Sequence, residues 1–105
     1  MNEQDLTRIK NFIRVCFEVE ETLKISWAQK KVLLKVVELW GLEPKAPMVT
    51  EVAMSVHGAS ESSVYRHLKP LIKKGLLRLT EERQDHRVKR VEPTHRLLKI
   101  LAAKT

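Results

Sequence analysis

Cysteine occurs once in these 105 residues and glycine three times, and no stretch approaches the run of about 18 apolar residues that a membrane-spanning helix needs. Each scarcity excludes something. A lone thiol, Cys16, rules out an internal disulfide framework and fits a reducing compartment. So few glycines leave no phosphate-cradling loop, and no nucleophile elbow or pair of carboxylates flanking a base is present, so neither catalysis nor a cofactor is expected. His57, His67, His86 and His95 are scattered without a ligand spacing, which argues against a metal site. The opening "MNEQDLTRIK" mixes acids with bases and lacks the apolar centre of a secretory signal, so a cytoplasmic protein is expected. Aromatic residues make up only 5%, and Trp27 and Trp40 read as core side chains rather than stacking platforms.

What is present is positive charge, and it is unevenly placed. The formal net charge is +7; residues 1–59 hold eight Lys or Arg against eight Asp or Glu, whereas residues 60–105 hold twelve against five. A basic half suggests a polyanionic partner, either nucleic acid or an anionic surface, although a solvated basic face has the same composition.

The apolar spacing organises the chain. Leu6, Ile9, Phe12, Ile13, Cys16, Phe17, Val19 and Leu23 follow a helical period but cover two adjacent stripes, more apolar arc than one small domain can bury, so the first helix (1–24) is expected to meet a partner chain. Cys16 on that helix reads as a core residue rather than a redox sensor, because Glu18, Glu20 and Glu21 nearby oppose a thiolate. "SWAQ" at 26–29 is a capping box opening a helix that turns Val32, Leu33, Val36, Val37 and Trp40 inward and stops at Gly41. "LEPKAPM" reads as a loop, and Thr50 as the cap of a short helix ended by Gly58. Ser60 caps the next helix, which runs to Gly75. "GLLRLT" and "RVKRVEP" then form a hairpin with a charged tip, and Thr94 starts a last helix through 105.

Two helices joined by a short glycine-containing turn, "TEVAMSV-HGA-SESSVYRHLKPLIKK", have the punctuation of a helix-turn-helix. On the second, Val64, Leu68, Leu71 and Ile72 share one side, Ser62, Arg66, Lys69 and Lys73 fall opposite, and Ser63 and Tyr65 flank them. Short side chains at its start permit close approach to a major groove, Arg66 is a fork suited to a guanine edge, Ser62 and Ser63 can donate to phosphate or base, and Lys69 and Lys73 suit the backbone. Glu61 reads as a partner of the helix dipole, and Pro70 removes an amide and predicts a kink or tightened turn. The hairpin tip adds Arg83, His86, Arg87, Lys89 and Arg90, an excursion that can lay an arginine into a minor groove, with Asp85 orienting Arg87. A solvated amphipathic helix and a mobile charged loop remain the competing readings of these two features.

Three segments in order, "SWAQKKVLLKVVELW", "VTEVAMSVHGASESSVYRHLKPLIKKGLL" and "RQDHRVKRVEPT", resemble the winged helix-turn-helix of MarR-type bacterial and archaeal transcription regulators over about residues 26–100. The carriers are the helix opening with a Gln, the recognition helix ending in "KKGLL", and the "DHR" wing before a Thr-capped helix. The resemblance implies a mainly α (α+β) winged helix of about five helices plus a two-stranded β-wing, acting as a homodimer on a pseudo-palindromic operator. It places Ser62, Ser63, Tyr65 and Arg66 toward the major groove and Asp85 and Arg87 at the wing tip. Three positions depart from the pattern: His86 stands where a second arginine is usual, Pro93 replaces an apolar residue before Thr94, and the sequence stops at Thr105, before the further helix through which such regulators dimerise.

The expectation is therefore one domain over 1–105, with the winged helix-turn-helix at 26–93, that binds double-stranded DNA in a prokaryotic cytoplasm and regulates transcription, most simply as a repressor. The expected DNA-facing set is Ser62, Ser63, Tyr65, Arg66, Lys69, Lys73, Arg83, Asp85, His86, Arg87 and Lys89. Two rivals use the same surface: a winged-helix protein-docking module, and a replication or architectural factor of a mobile element.

Overall fold

The computed structural model describes residues 2–42, 45–56 and 60–104, leaving aside the side chains of Leu42 and Lys104. In chain order it has α1 (Glu3–Leu23), α2 (Trp27–Leu42), α3 (Val49–Ser55), α4 (Glu61–Lys73), β1 (Leu77–Glu81), β2 (Lys89–Pro93) and α5 (His95–Lys104), the mainly α winged-helix arrangement the sequence predicts. None of these helices is long and apolar enough to cross a membrane.

The core explains the layout. Val32, Leu33 and Val36 of α2, Val49 and Val52 of α3, Val64, Leu68 and Leu71 of α4, Leu76 and Leu77 at the start of β1, Val91 of β2 and Leu97 of α5 are all at most 2% exposed. They form one continuous cluster. Fully burying one Leu or Val side chain contributes about 1.5–3 kcal/mol, so this cluster fixes α4 and the hairpin on a common base. Of α1 only Val19 and Leu23 are buried in it, with Val15 packed against it.

Local signals set most boundaries. Asn2 caps α1, accepting from the Asp5 amide at 2.9 Å, and α1 ends at Lys24 in the left-handed conformation (φ 55°). Ser26 and Gln29 form the reciprocal capping box of α2, at 3.1 and 3.0 Å. Ser60 Oγ accepts from the Ser63 amide at 3.1 Å and opens α4. The end of α4 is a Schellman motif: the Leu76 amide donates to the Leu71 carbonyl at 3.0 Å and the Gly75 amide to Ile72 at 2.9 Å, with Gly75 at φ 75°, where a side chain would be strained. Leu76 and Leu71, the two ends of that motif, are both buried. Thr94 Oγ1 accepts from the Leu97 amide at 3.2 Å and starts α5.

Several expectations need correction. Gly41 does not end α2, which continues to Leu42. Thr50 lies inside α3; the start is made at Met48, whose amide donates to Glu51 Oε1 at 3.0 Å. The expected helix end at Gly58, and the turn "HGA" with His57, lie outside the described residues. The loop "LEPKAPM" is not wholly loop: Met48 makes an antiparallel bridge to Arg90, and the Val91 amide donates to the Pro47 carbonyl at 2.9 Å. Met48 is extended (φ −75°, ψ 152°), which lets it pair with Arg90 before α3 begins. Pro70 lies inside α4, which runs on past it to Lys73, and the Lys74 amide donates to the Pro70 carbonyl at 3.0 Å.

The two tryptophans and Cys16 also depart from the core assignment. Trp27, at the first position of α2, is 64% exposed and Trp40 37% exposed. Instead of entering the core, the Trp27 ring lies over Lys30, with Nζ 3.9 Å from its centroid, while Lys30 is itself 3% exposed and sits 2.6 Å from Glu20 Oε1. The pair ties α2 to α1. Cys16 is half-buried on a helix whose outer side stays open.

Candidate nucleic-acid interface

The interface is built on α4. With Val64, Leu68 and Leu71 in the core, the helical period turns Ser62, Arg66, Lys69 and Lys73 outward, and all four are exposed. Ser63 and Tyr65 sit half-buried on the flanks. Among the described residues Arg66, Lys69 and Lys73 have no acidic partner, so their charge is directed at solvent. Glu61 occupies the first turn of α4 and Lys73 the last, each at the end where the helix dipole favours its sign.

The β-wing follows directly. Its strands pair in the register Leu77↔Pro93, Arg78↔Glu92, Leu79↔Val91, Thr80↔Arg90 and Glu81↔Lys89. Two directly opposed pairs, Arg78 with Glu92 and Lys89 with Glu81, are ion pairs, and such cross-strand partners fix register. Arg90 acts as a strut: Nε lies 2.7 Å from Glu82 Oε1, and Nη1 donates to the Ala46 carbonyl at 2.7 Å. It thereby binds the hairpin to the segment before α3.

The tip is closed by its own backbone. The Glu82 amide donates to the Val88 carbonyl at 3.2 Å, and the Val88 amide to Asp85 at 3.0 Å. Asp85 Oδ1 accepts from both the Arg87 amide and its Nε, at 3.0 and 3.1 Å, while the Arg87 side chain remains 92% exposed. The Arg87 side chain and then its backbone amide, both donating to Asp85, hold that carboxyl below its usual range. Glu81 is lowered too, chiefly by the hydrogen bond and charge of Lys89, with His86 adding to it. His86 Nδ1 stands 3.3 Å from Glu81 Oε2, its side chain 78% exposed. Arg83 is exposed and has no acidic partner among the described residues.

Helix and wing meet at a cleft of about 160 Å³, where Glu61 and Tyr65 of α4 face Thr50 of α3 and Arg87 and Lys89 of the wing. The structure thus brings Tyr65, Arg87 and Lys89 to one cleft, with Ser62, Ser63, Arg66, Lys69 and Lys73 along α4 and Arg83, Asp85 and His86 around the tip. The sequence-derived set is not uniform. Lys89 is 30% exposed in its side chain and engaged by Glu81, so its charge is largely matched inside the protein. Arg90 is likewise matched by Glu82, and Arg78, although exposed, is paired with Glu92. Lys74 donates to the carbonyls of Leu23 and Lys24, at 3.1 and 2.8 Å, capping the end of α1. Several of the cations in the basic half are therefore structural, matched by an acid or bound to a backbone carbonyl. Arg90 and Lys74 were not separable from the outward cations by sequence, because their partners are backbone carbonyls 44 and about 50 residues away.

No family model matches the chain, and no curated protein matches it. Solved structures do. The complex of MepR from S. aureus with DNA shares 18% identity over 97% of this chain and 79% of that one, with a TM-score of 0.71. MarR shares 20% over 98% of this chain and 72% of that one, TM-score 0.65. The adhesin competence repressor AdcR from Streptococcus pyogenes shares 22% over 98% and 70%, TM-score 0.62. At these identities the likeness establishes the fold: the chain has the MarR-type winged helix over nearly its whole length.

Proposed function

We propose that the chain is a sequence-specific double-stranded DNA-binding protein that regulates transcription as a homodimer, most simply by repression. The observation that carries the reading is the open side of α4: Arg66, Lys69 and Lys73 are exposed without acidic partners among the described residues, on a helix anchored by three side chains at most 1% exposed, beside a wing whose Arg87 is held outward by Asp85. A rigid helix with a small start and a basic outer face suits a major groove, and an oriented arginine suits a minor groove. One relative in fold, MepR, has been solved on DNA. In this reading Ser62, Ser63, Tyr65 and Arg66 face bases, Lys69, Lys73 and Arg83 face phosphates, and Asp85 positions Arg87.

The dimer rests on α1. Leu6, Ile9, Phe12, Ile13 and Phe17 are 43–69% exposed along that helix, a patch that water disfavours and a second copy can cover. The cytoplasm is the compartment consistent with such a role.

The test is selection of bound duplexes from a random pool at about 0.15 M salt, with wild type and Arg66→Ala in parallel. Enrichment of an inverted repeat with half-sites about one helical turn apart is expected. Arg66→Ala should cost about 1–3 kcal/mol and blur base preference. With about four phosphate contacts per protomer, log affinity should fall with log salt at a slope near −7. A wild-type pool no different from its starting composition removes sequence-specific regulation and leaves the basic half as a surface for an acidic protein partner.

A further inference from the structure

We propose that His86 is a proton-gated contact for the DNA backbone: Glu81 holds its Nδ1, so that Nε2 is the atom presented to phosphate, and the wing grips DNA more tightly when the imidazole takes up a proton. The inference rests on the DNA-binding reading above and adds a pH dependence to it.

A neutral imidazole has one N–H donor and one lone-pair nitrogen. Glu81 Oε2 lies 3.3 Å from Nδ1, and an anionic carboxylate there selects the tautomer with the proton on Nδ1. Glu81 stays anionic throughout the range in which a histidine titrates, because Lys89 holds its carboxyl below the usual range. In the neutral state, Nε2 therefore turns a lone pair toward solvent and repels a phosphate oxygen. Protonation makes it a donor and adds a full charge at the same atom.

The gain is net because the neighbouring charges are already matched. Glu81 is engaged by Lys89, Asp85 by Arg87, and Glu82 by Arg90. Arg83 has no acidic partner among the described residues. Across the cleft, α4 contributes Glu61 and Tyr65, which line it with Arg87 and Lys89. Residues 81–90 carry four Lys or Arg and three Asp or Glu, so their net charge goes from +1 to +2 when His86 is protonated. One added phosphate contact per protomer steepens the salt slope by about 0.9 and, at about 0.1 M salt, strengthens binding by up to about eightfold per protomer.

The experiment is fluorescence anisotropy on a mixed-sequence duplex of about 24 base pairs at about pH 5.5 and about pH 8, either side of an ordinary histidine, for wild type, His86→Gln and His86→Arg. The chain's other three histidines, His57, His67 and His95, are present in every variant, and the comparison with His86→Gln subtracts their contribution. Wild type should gain more affinity and more salt dependence on acidification than His86→Gln, and His86→Arg should bind more tightly than wild type at about pH 8 and gain no more than His86→Gln on acidification. Equal pH dependence in wild type and His86→Gln overturns the gate while leaving DNA binding intact; failure of every variant to bind the duplex at either pH overturns the parent reading with it. Independently of DNA, the nitrogen-15 shifts of the His86 ring at about pH 8 should show the Nδ1–H tautomer, and an Nε2–H ring refutes the proposal.

Discussion

The first helix and α4 are both amphipathic, and they leave opposite sides open. In α4 the apolar side is consumed by the core and the outer side is basic; Val64, Leu68 and Leu71 are at most 1% exposed. In α1 only Val19 and Leu23 are buried, while Phe12 and Phe17 are 69% and 63% exposed. The residues left over on a helix indicate what it awaits. An apolar side in water lowers its free energy against another apolar side, whereas unpaired cations do so against a polyanion. The same division appears in the charge, which cancels over residues 1–59 and accumulates beyond them.

The comparison can be broken most severely from beneath. Leu68→Ala empties part of the floor under α4, and truncating a Leu buried to 1% exposure should cost about 2–5 kcal/mol, read as a fall in the urea midpoint at constant slope. A cost below about 1 kcal/mol would mean that α4 is not anchored as described. On α1 the opposite outcome is expected. Phe12→Asp with Phe17→Asp removes exposed apolar surface, so the fold should lose little while the sedimentation mass drops toward one chain. An unchanged mass would detach the dimer from this face, and a collapse of thermal stability would show that α1 belongs to the core.

The sequence discloses most of this division and misses its details for a consistent reason. Caps and periods are local, so Ser26, Ser60, Thr94 and the two sides of α4 were readable within one or two turns. The apolar arc of α1 was readable too, although not that it would leave Cys16 half-buried and Trp27 laid on Lys30 rather than packed beneath it. What composition could not separate was structural from outward charge. Arg90 and Lys74 look like Arg66 and Lys73 in a string of letters. Only the approach of Ala46 to β2, and of α1 to the end of α4, assigns the first two to carbonyl oxygens. The Met48 bridge escaped because one residue of strand has no period.

The smallest expected effect concerns acid pH and isolates the wing from both helices. Glu81 and Asp85 have carboxyl groups lowered by Lys89 and Arg87 respectively. A lowered folded-state value means that the pairing is fully present above the ordinary carboxylate range and is lost as pH falls through the lower, folded value. The tip should therefore stay closed at about pH 5, where a histidine charges, and open only below the range of an unperturbed Asp or Glu. Both groups are exposed, so the loss should be local: the Arg87 amide, which donates to Asp85 Oδ1 at 3.0 Å, should lose exchange protection before the buried amides of α4. Asp85→Ala should bring that loss to neutral pH with little change in global unfolding. If the Arg87 amide instead opened together with α4, the wing would be part of the same cooperative unit as the recognition helix, and a proton on His86 would then act on both surfaces rather than on the tip alone.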